Sequence, residues 1–181
     1  MKGFSPKKLL GQHFLRDGTA IARIVESLEL KTEDLVVEIG PGHGELTHEL
    51  LKKDGQGIKI IAVEKDPELA ARLRNLEIGN VGIVTGDILK LLPSLTNTLK
   101  ATGYKLVGNI PYYITGQLLR ILGELKNPPT LIVLAVQKEV ARRVSARPPQ
   151  MNLLAAAVQV WAKVEVILDL SRKDFFPQPK V

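Results

Sequence analysis

An α/β domain with a mainly parallel sheet flanked by helices is what the sequence predicts, and three observations carry it. Short β-rich apolar runs alternate with helix-period segments along the chain. The first run, Leu35-Val36-Val37-Glu38-Ile39, is nearly continuous in apolar residues, as a strand covered on both faces should be. It leads directly into Gly40-Pro41-Gly42-His43-Gly44 and then an apolar-periodic stretch, Leu46 to Leu51. Strand, Gly-rich turn and helix in that order bring backbone close to a ligand at a helix N-terminus.

The remaining elements follow the same logic. Asp17 is placed to cap a helix bearing Ile21, Ile24, Val25 and Leu28 at helical spacing. Lys31 to Asp34 is a polar break before the first strand. Ile58 to Val63 is a second strand, and Pro67 to Leu76 a helix with Pro near its start. Val81 to Thr85 is a third strand, followed by a long connection from Leu89 to Gly103. Tyr104 to Gly108 is a fourth strand, and Gln117 to Leu125 a helix that ends before Asn127-Pro128-Pro129. Thr130 to Val136 is strongly apolar and is expected as a central fifth strand. Gln137 to Val144 is a short helix with Arg142 and Arg143 exposed, and Asn152 to Trp161 another helix. Val164 to Leu170 is expected as a sixth strand.

Composition narrows the function. The 181 residues contain no Cys, so disulfides and thiolate metal sites are excluded. The three His are dispersed, and no metal is expected. No apolar run reaches the length of a membrane span, and Met1 to Arg16 is basic without a signal peptide's apolar stretch, so a cytoplasmic protein is expected. A net charge of +6 favours a polyanionic partner, nucleic acid or a membrane surface.

Candidate functional residues fall at strand ends, where ligands of open α/β sheets bind. Glu64 closes the second strand, some two dozen residues after the glycines, a position from which an acid takes both hydroxyls of a ribose. Asp87, after the third strand, is suited either to an adenine amine or to a structural turn. Asn109-Ile110-Pro111-Tyr112 follows the fourth strand. Asn109 offers an amide donor and acceptor, Pro111 stiffens the turn, and Tyr112 presents a flat ring with a polar tip.

Taken in order, these strand-end features resemble the S-adenosylmethionine-dependent amino-methyltransferases, and more closely the ribosomal RNA adenine dimethyltransferases of the small-subunit, kasugamycin-resistance type. The matching segments are Leu10-Gly11-Gln12-His13-Phe14-Leu15, Val37 to Gly42, Ala62 to Pro67, Gly86-Asp87, Asn109 to Tyr112, Val136 to Ala141 and Phe175 to Val181. The resemblance implies a Rossmann-like methyltransferase fold and a catalytic domain over residues 1–181, whose basic segment 1–16 closes over S-adenosylmethionine. His13 and Leu15 would lie over the cofactor, and Gly40 against its methionine part. Glu64 would hold the ribose, Asp87 the adenine amine, and Asn109 would face both cofactor and target base. Tyr112 and Phe175 would sandwich the target adenine, which overrides the linker reading of the Pro-rich tail. Lys7, Lys8, Arg142, Arg143 and Arg147 are candidates for phosphate contacts.

The implied partner is ribosomal RNA within the immature small subunit, met by a monomer. The implied reaction is dimethylation of adjacent adenines. The family's C-terminal helical domain and the strand leading to it are absent from the sequence, so a fragment with open sheet edges is expected. Large-subunit methylation of the erythromycin-resistance type shares every motif. A cofactor-binding but non-catalytic assembly or transcription factor is a further alternative, disfavoured by the intact Asn109 and Tyr112. A nicotinamide dehydrogenase would have no use for the Asn-Ile-Pro-Tyr turn.

Overall fold

The computed structural model describes residues 11–53, 57–76, 79–99 and 103–179. Lys2, Lys7, Lys8 and Leu10 of the N-terminal segment, and Lys180-Val181, lie outside the described residues. The elements run β1 (Phe14–Leu15), α1 (Gly18–Glu26), β2 (Leu35–Ile39), α2 (Glu45–Leu51), β3 (Lys59–Glu64), α3 (Pro67–Asn75), β4 (Val81–Thr85) and α4 (Ile88–Thr98). They continue with β5 (Lys105–Asn109), α5 (Tyr112–Glu124), β6 (Leu131–Ala135), α6 (Lys138–Ser145), α7 (Leu153–Gln159) and β7 (Phe175–Phe176).

Five strands form one sheet in the order β4-β3-β2-β5-β6, and every pairing in it is parallel. Side chains alternate between its faces. Val36, Ile60, Val107 and Val133 pack with α1 residues Ile21, Ile24 and Val25 on one face. Val37, Val63 and Leu106 pack with Ile88, Leu92, Ile114, Leu118 and Leu122 on the other. The chain winds outward from β2 through β3 to β4, then returns to β5 beside β2. The order therefore reverses between β2 and β5, which opens a crevice at their carboxyl ends.

Local chemistry sets the helix starts. Asp17 accepts from the Ala20 N–H at 2.7 Å, and Asn152 accepts from the Ala155 N–H at 3.0 Å. Helix α5 begins at Tyr112, directly after Pro111 and five residues earlier than the apolar period suggests.

Three expectations are corrected. The connection from Leu89 contains helix α4: Asp87 caps it, and Ile88, Leu92, Leu95 and Leu99 share its inward face despite Pro93 in its middle. β6 is an edge strand of the sheet, not a central one. Its continuous apolarity reflects cover on both faces, with Val133 in one cluster and Ile132 and Leu134 against the other. Val164 to Leu170 forms no strand. Leu168 and Leu170 pack on the first cluster, so the period-2 pattern marks burial of one face without a ladder partner.

Candidate active site at the carboxyl edge of the sheet

The Gly-rich turn leaves β2 with Gly40 at φ +65° and Gly42 at φ +62°, backbone that side-chain-bearing residues rarely adopt. A Cβ on Gly40 would meet nothing within 4 Å, so the space beside it is open to a ligand. A Cβ on Gly42 would lie 2.7 Å from the Phe14 ring. Glu64 is nearly buried. Its Oε2 accepts from the Gly42 N–H at 3.0 Å and its Oε1 from the Asp66 N–H at 2.8 Å. Each oxygen keeps a second lone pair for a hydroxyl. Burial raises its pKa, against the backbone bonds from Asp66 and Gly42.

Glu38 is a site residue that sequence reasoning absorbed into an apolar strand. It is fully buried, its Oε2 accepts from the Thr47 hydroxyl at 2.8 Å, and its Oε1 is buried without a partner. Burial pushes its pKa up to about 8, against the Thr47 bond and helped by the Glu64 charge. Glu38, Gly40, Pro41, Gly108 and Asn109 line one cleft together with Phe14 and Leu15. A carboxylate inside the run Leu35–Ile39 was the signal available, since an unpaired buried acid is costly. A cationic ligand group would relieve that cost.

Asp87 does two things. Its Oδ1 accepts from the Leu89 N–H at 3.1 Å, capping α4, and its Oδ2 pairs with Lys65 at 2.9 Å. Burial pushes the carboxyl up, but the Lys65 bond, the Leu89 N–H and the Lys65 and Lys90 charges outweigh it and hold the pKa below its ordinary value.

Asn109 ends β5, and its Nδ2 donates to the His13 carbonyl at 2.6 Å. A carbonyl only accepts, so this bond fixes which end of the amide points where and leaves Oδ1 as the acceptor for a ligand. The Ile110 N–H is held by the Ala135 carbonyl at 2.9 Å. Tyr112 is 55% exposed at the start of α5 and meets Tyr113 edge-on, with ring centroids 6.1 Å apart.

The N-terminal segment and the tail meet as a two-stranded antiparallel ribbon, with Phe14 opposite Phe176 and Leu15 opposite Phe175. His13 Nδ1 donates to the Pro177 carbonyl at 2.7 Å, the Gln12 amide reaches Asp66 at 3.2 Å, and the Arg16 N–H reaches the Asp174 carbonyl at 2.7 Å. Leu15 is buried, and both it and Phe175 pack on the first core cluster. Sequence reasoning gave both segments but not their pairing, since two-residue strands carry no period.

His13 is thus joined to Asn109, Leu15 lines one cleft with Gly40 and Asn109, and Glu64 closes the glycine turn. No ring contact joins Tyr112 to Phe175 among the described residues. Arg142, Arg143 and Arg147 are exposed.

This strand-end arrangement has counterparts. The chain is 39% identical over 183 residues to the ribosomal RNA small subunit methyltransferase A of Prochlorococcus marinus (strain NATL2A), which covers 97% of this chain and 62% of the relative. It is 40% identical over 185 residues to the protein of that name in Dehalococcoides mccartyi (strain CBDB1), covering 100% and 62%. The chain therefore spans less than two thirds of the length of these relatives. Among solved structures it is similar to the 23S rRNA methyltransferase ErmE, with 32% identity, a TM-score of 0.73, and cover of 93% of this chain and 66% of that one. It is also similar to a dimethyladenosine transferase from Plasmodium falciparum, with 28% identity, a TM-score of 0.76, and cover of 92% and 59%. The fold is the Rossmann-like fold of these methyltransferases. With a family model matching residues 3–181, the chain belongs to the ribosomal RNA adenine dimethylase family.

Proposed function

We propose that this chain is the catalytic domain of an enzyme that transfers methyl groups from S-adenosylmethionine to N6 of adenines in ribosomal RNA, dimethylating adjacent adenines of the small subunit. The observation that carries the reading is the convergence of the glycine turn, Glu64, Asp87 and the Asn109 turn on one sheet edge, at the point where strand order reverses. The names of the curated relatives favour the small subunit as substrate; large-subunit methylation is the second reading, favoured by the likeness to ErmE. A cytoplasmic monomer acting on the immature subunit completes the proposal, and sedimentation tests the monomer.

The residues fit the cofactor. Glu38 offers an unpartnered buried oxygen to a cationic amino-acid end, Gly40 leaves open space beside it, and Glu64 offers lone pairs to a ribose. Asp87 serves the adenine amine with the lone pairs left by Leu89 and Lys65. When bound, S-adenosylmethionine supplies an electrophilic methyl group.

The chain's own work is to prepare the base. An adenine amine is a poor nucleophile because its lone pair is delocalised into the ring. Asn109 Oδ1 and the Ile110 carbonyl accept its two hydrogens, which draws N6 toward a tetrahedral geometry and aims the freed lone pair. Tyr112 stacks one face of the base and Phe175 the other. Stacking offsets part of the few kcal/mol, roughly, needed to unstack the target. Orientation supplies most of the acceleration, about 7–11 kcal/mol in good cases. The surplus proton on N6 passes to water after transfer, so no strong base is required. His13 and Leu15 lie over the cofactor.

Calorimetric titration with S-adenosylmethionine, with NAD as control, tests the reading. Saturable binding that Glu64→Ala weakens and NAD does not reproduce supports it. Absence of binding in this chain and in one extended past Val181 overturns it. Methyl transfer to immature small subunits, against large-subunit RNA, then separates the two substrates.

A further inference from the structure

Beside the cleft that Phe14 and Leu15 line, the β1–β7 ribbon carries Arg16 and Phe176, which the cofactor and target base do not use. Opposed residues of an antiparallel pair, and residues two apart on one strand, share a face. Phe14, Arg16 and Phe176 therefore lie together, turned away from Leu15 and Phe175. Phe14 is buried over the glycine turn, its ring 4.2 Å from the His43 ring. Phe176 is 49% exposed, and the Arg16 guanidinium sits 4.2 Å from its ring centre. No carboxylate pairs with Arg16 among the described residues.

The surface continues past His43. His43 and Arg72 line one groove, and burial lowers the pKa of His43, opposed by Glu45 and helped by the Arg16 and Arg72 charges. Arg72 also pairs with Glu68 at 2.8 Å. Beyond it a groove is lined by Leu69, Leu73 and Leu76, with Leu76 57% exposed. An exposed phenyl ring capped by a guanidinium, followed by cationic and apolar surface, is how single-stranded nucleic acid is held: bases stack while cations follow the phosphates. The chain's charge of +6 has the matching sign.

We propose that this face is a docking surface for RNA flanking the target adenine, with a nucleobase stacked on the open side of Phe176 and its phosphate held by Arg16. The proposal rests on the RNA-methylating reading above and adds a second contact to it. Phe175 and Phe176 are consecutive and face opposite ways. One strand thus serves the reacting base inward and its neighbour outward.

The test is fluorescence anisotropy with a short labelled single-stranded RNA holding two adjacent adenines, beside calorimetry with S-adenosylmethionine. Phe176→Leu should weaken RNA binding about tenfold while Phe176→Trp keeps it within about twofold, since stacking needs a π-face. Arg16→Ala should reduce the slope of log affinity against log salt by about 0.7, one single-strand phosphate contact. Cofactor affinity should not change in the Phe176 variants. Equal RNA affinity of parent and Phe176→Leu overturns the proposal, as does a parent that binds no RNA, or that binds anionic phospholipid vesicles instead. RNA binding that depends on Phe176, with no cofactor binding by this chain or by one extended past Val181, supports the docking surface and sinks the methyl-transfer reading, so the two failures are distinguishable.

Discussion

The two sides of the crevice proposed for the cofactor and for the base are built differently. On the cofactor side Glu64 is held by two backbone N–H groups, Asp87 by a helix N–H and Lys65, and one oxygen of Glu38 by Thr47. On the base side the aromatic rings are open, with Tyr112 and Tyr113 each about half exposed. One half-site is preorganised and loses little entropy when its ligand arrives; the other is completed by the ligand. A small cofactor of fixed shape suits the first, and a base drawn from a larger RNA suits the second.

Asn109 joins the two sides, and removing it should break the comparison most. Asn109→Ala is expected to lower the methyl-transfer rate at saturating substrates about a hundredfold or more, from lost orientation, with a smaller loss of cofactor affinity. Single-turnover kinetics beside calorimetry measures both. Equal losses would mean that Asn109 belongs to the cofactor side alone.

Gly42→Ala attacks the preorganised side. It places a methyl against Phe14 at a φ of +62°, so stability should fall by about 2–4 kcal/mol in urea unfolding. Gly40→Ala meets the same strain without the clash and should cost about half as much. A larger loss at Gly40 would show that the ribbon yields freely.

Glu38 sharpens the contrast through pH. Its folded pKa, about 8, lies above the unfolded carboxylate value, so between the two the native state binds more protons than the unfolded chain. The associated stability is whole below the unfolded pKa and is lost as pH rises through about 8. Thermal melts of the parent should fall across that window, by an amount of the order of a few kcal/mol. Glu38→Gln should flatten the profile, leaving a smaller slope of the same sign from Glu64, whose pKa is also raised. An unchanged profile would mean that Glu38 is ionised in the native protein.

The smallest effect belongs to Lys65. Its pair with Asp87 is exposed to solvent, with the lysine side chain 46% exposed, so Lys65→Ala should cost only a few tenths of a kcal/mol. Asp87→Ala, which also removes the cap of α4, should cost about 1 kcal/mol. Equal costs would show that the cap contributes nothing.

This contrast also governs what the sequence discloses. The five sheet strands, the glycine turn and the acids at the strand ends were legible, because period, turn residues and strand-end position are local signals. Helix α4 was missed because Pro93 reads as a breaker, although Ile88, Leu92, Leu95 and Leu99 kept the helical spacing. The edge position of β6 and the unpaired state of Val164 to Leu170 were not legible, since apolar pattern reports cover on the faces and not neighbours in the plane. Glu38 was hidden in its strand, and the pairing of Leu15 with Phe175, 160 residues away, leaves no local trace.

The bond from Asn109 to the His13 carbonyl ties the segment around His13 to the turn after β5, across 96 residues of chain. With the cofactor seated as proposed, loss of that bond would free the amide to rotate, so the backbone of a histidine, rather than its ring, would hold the acceptor in place.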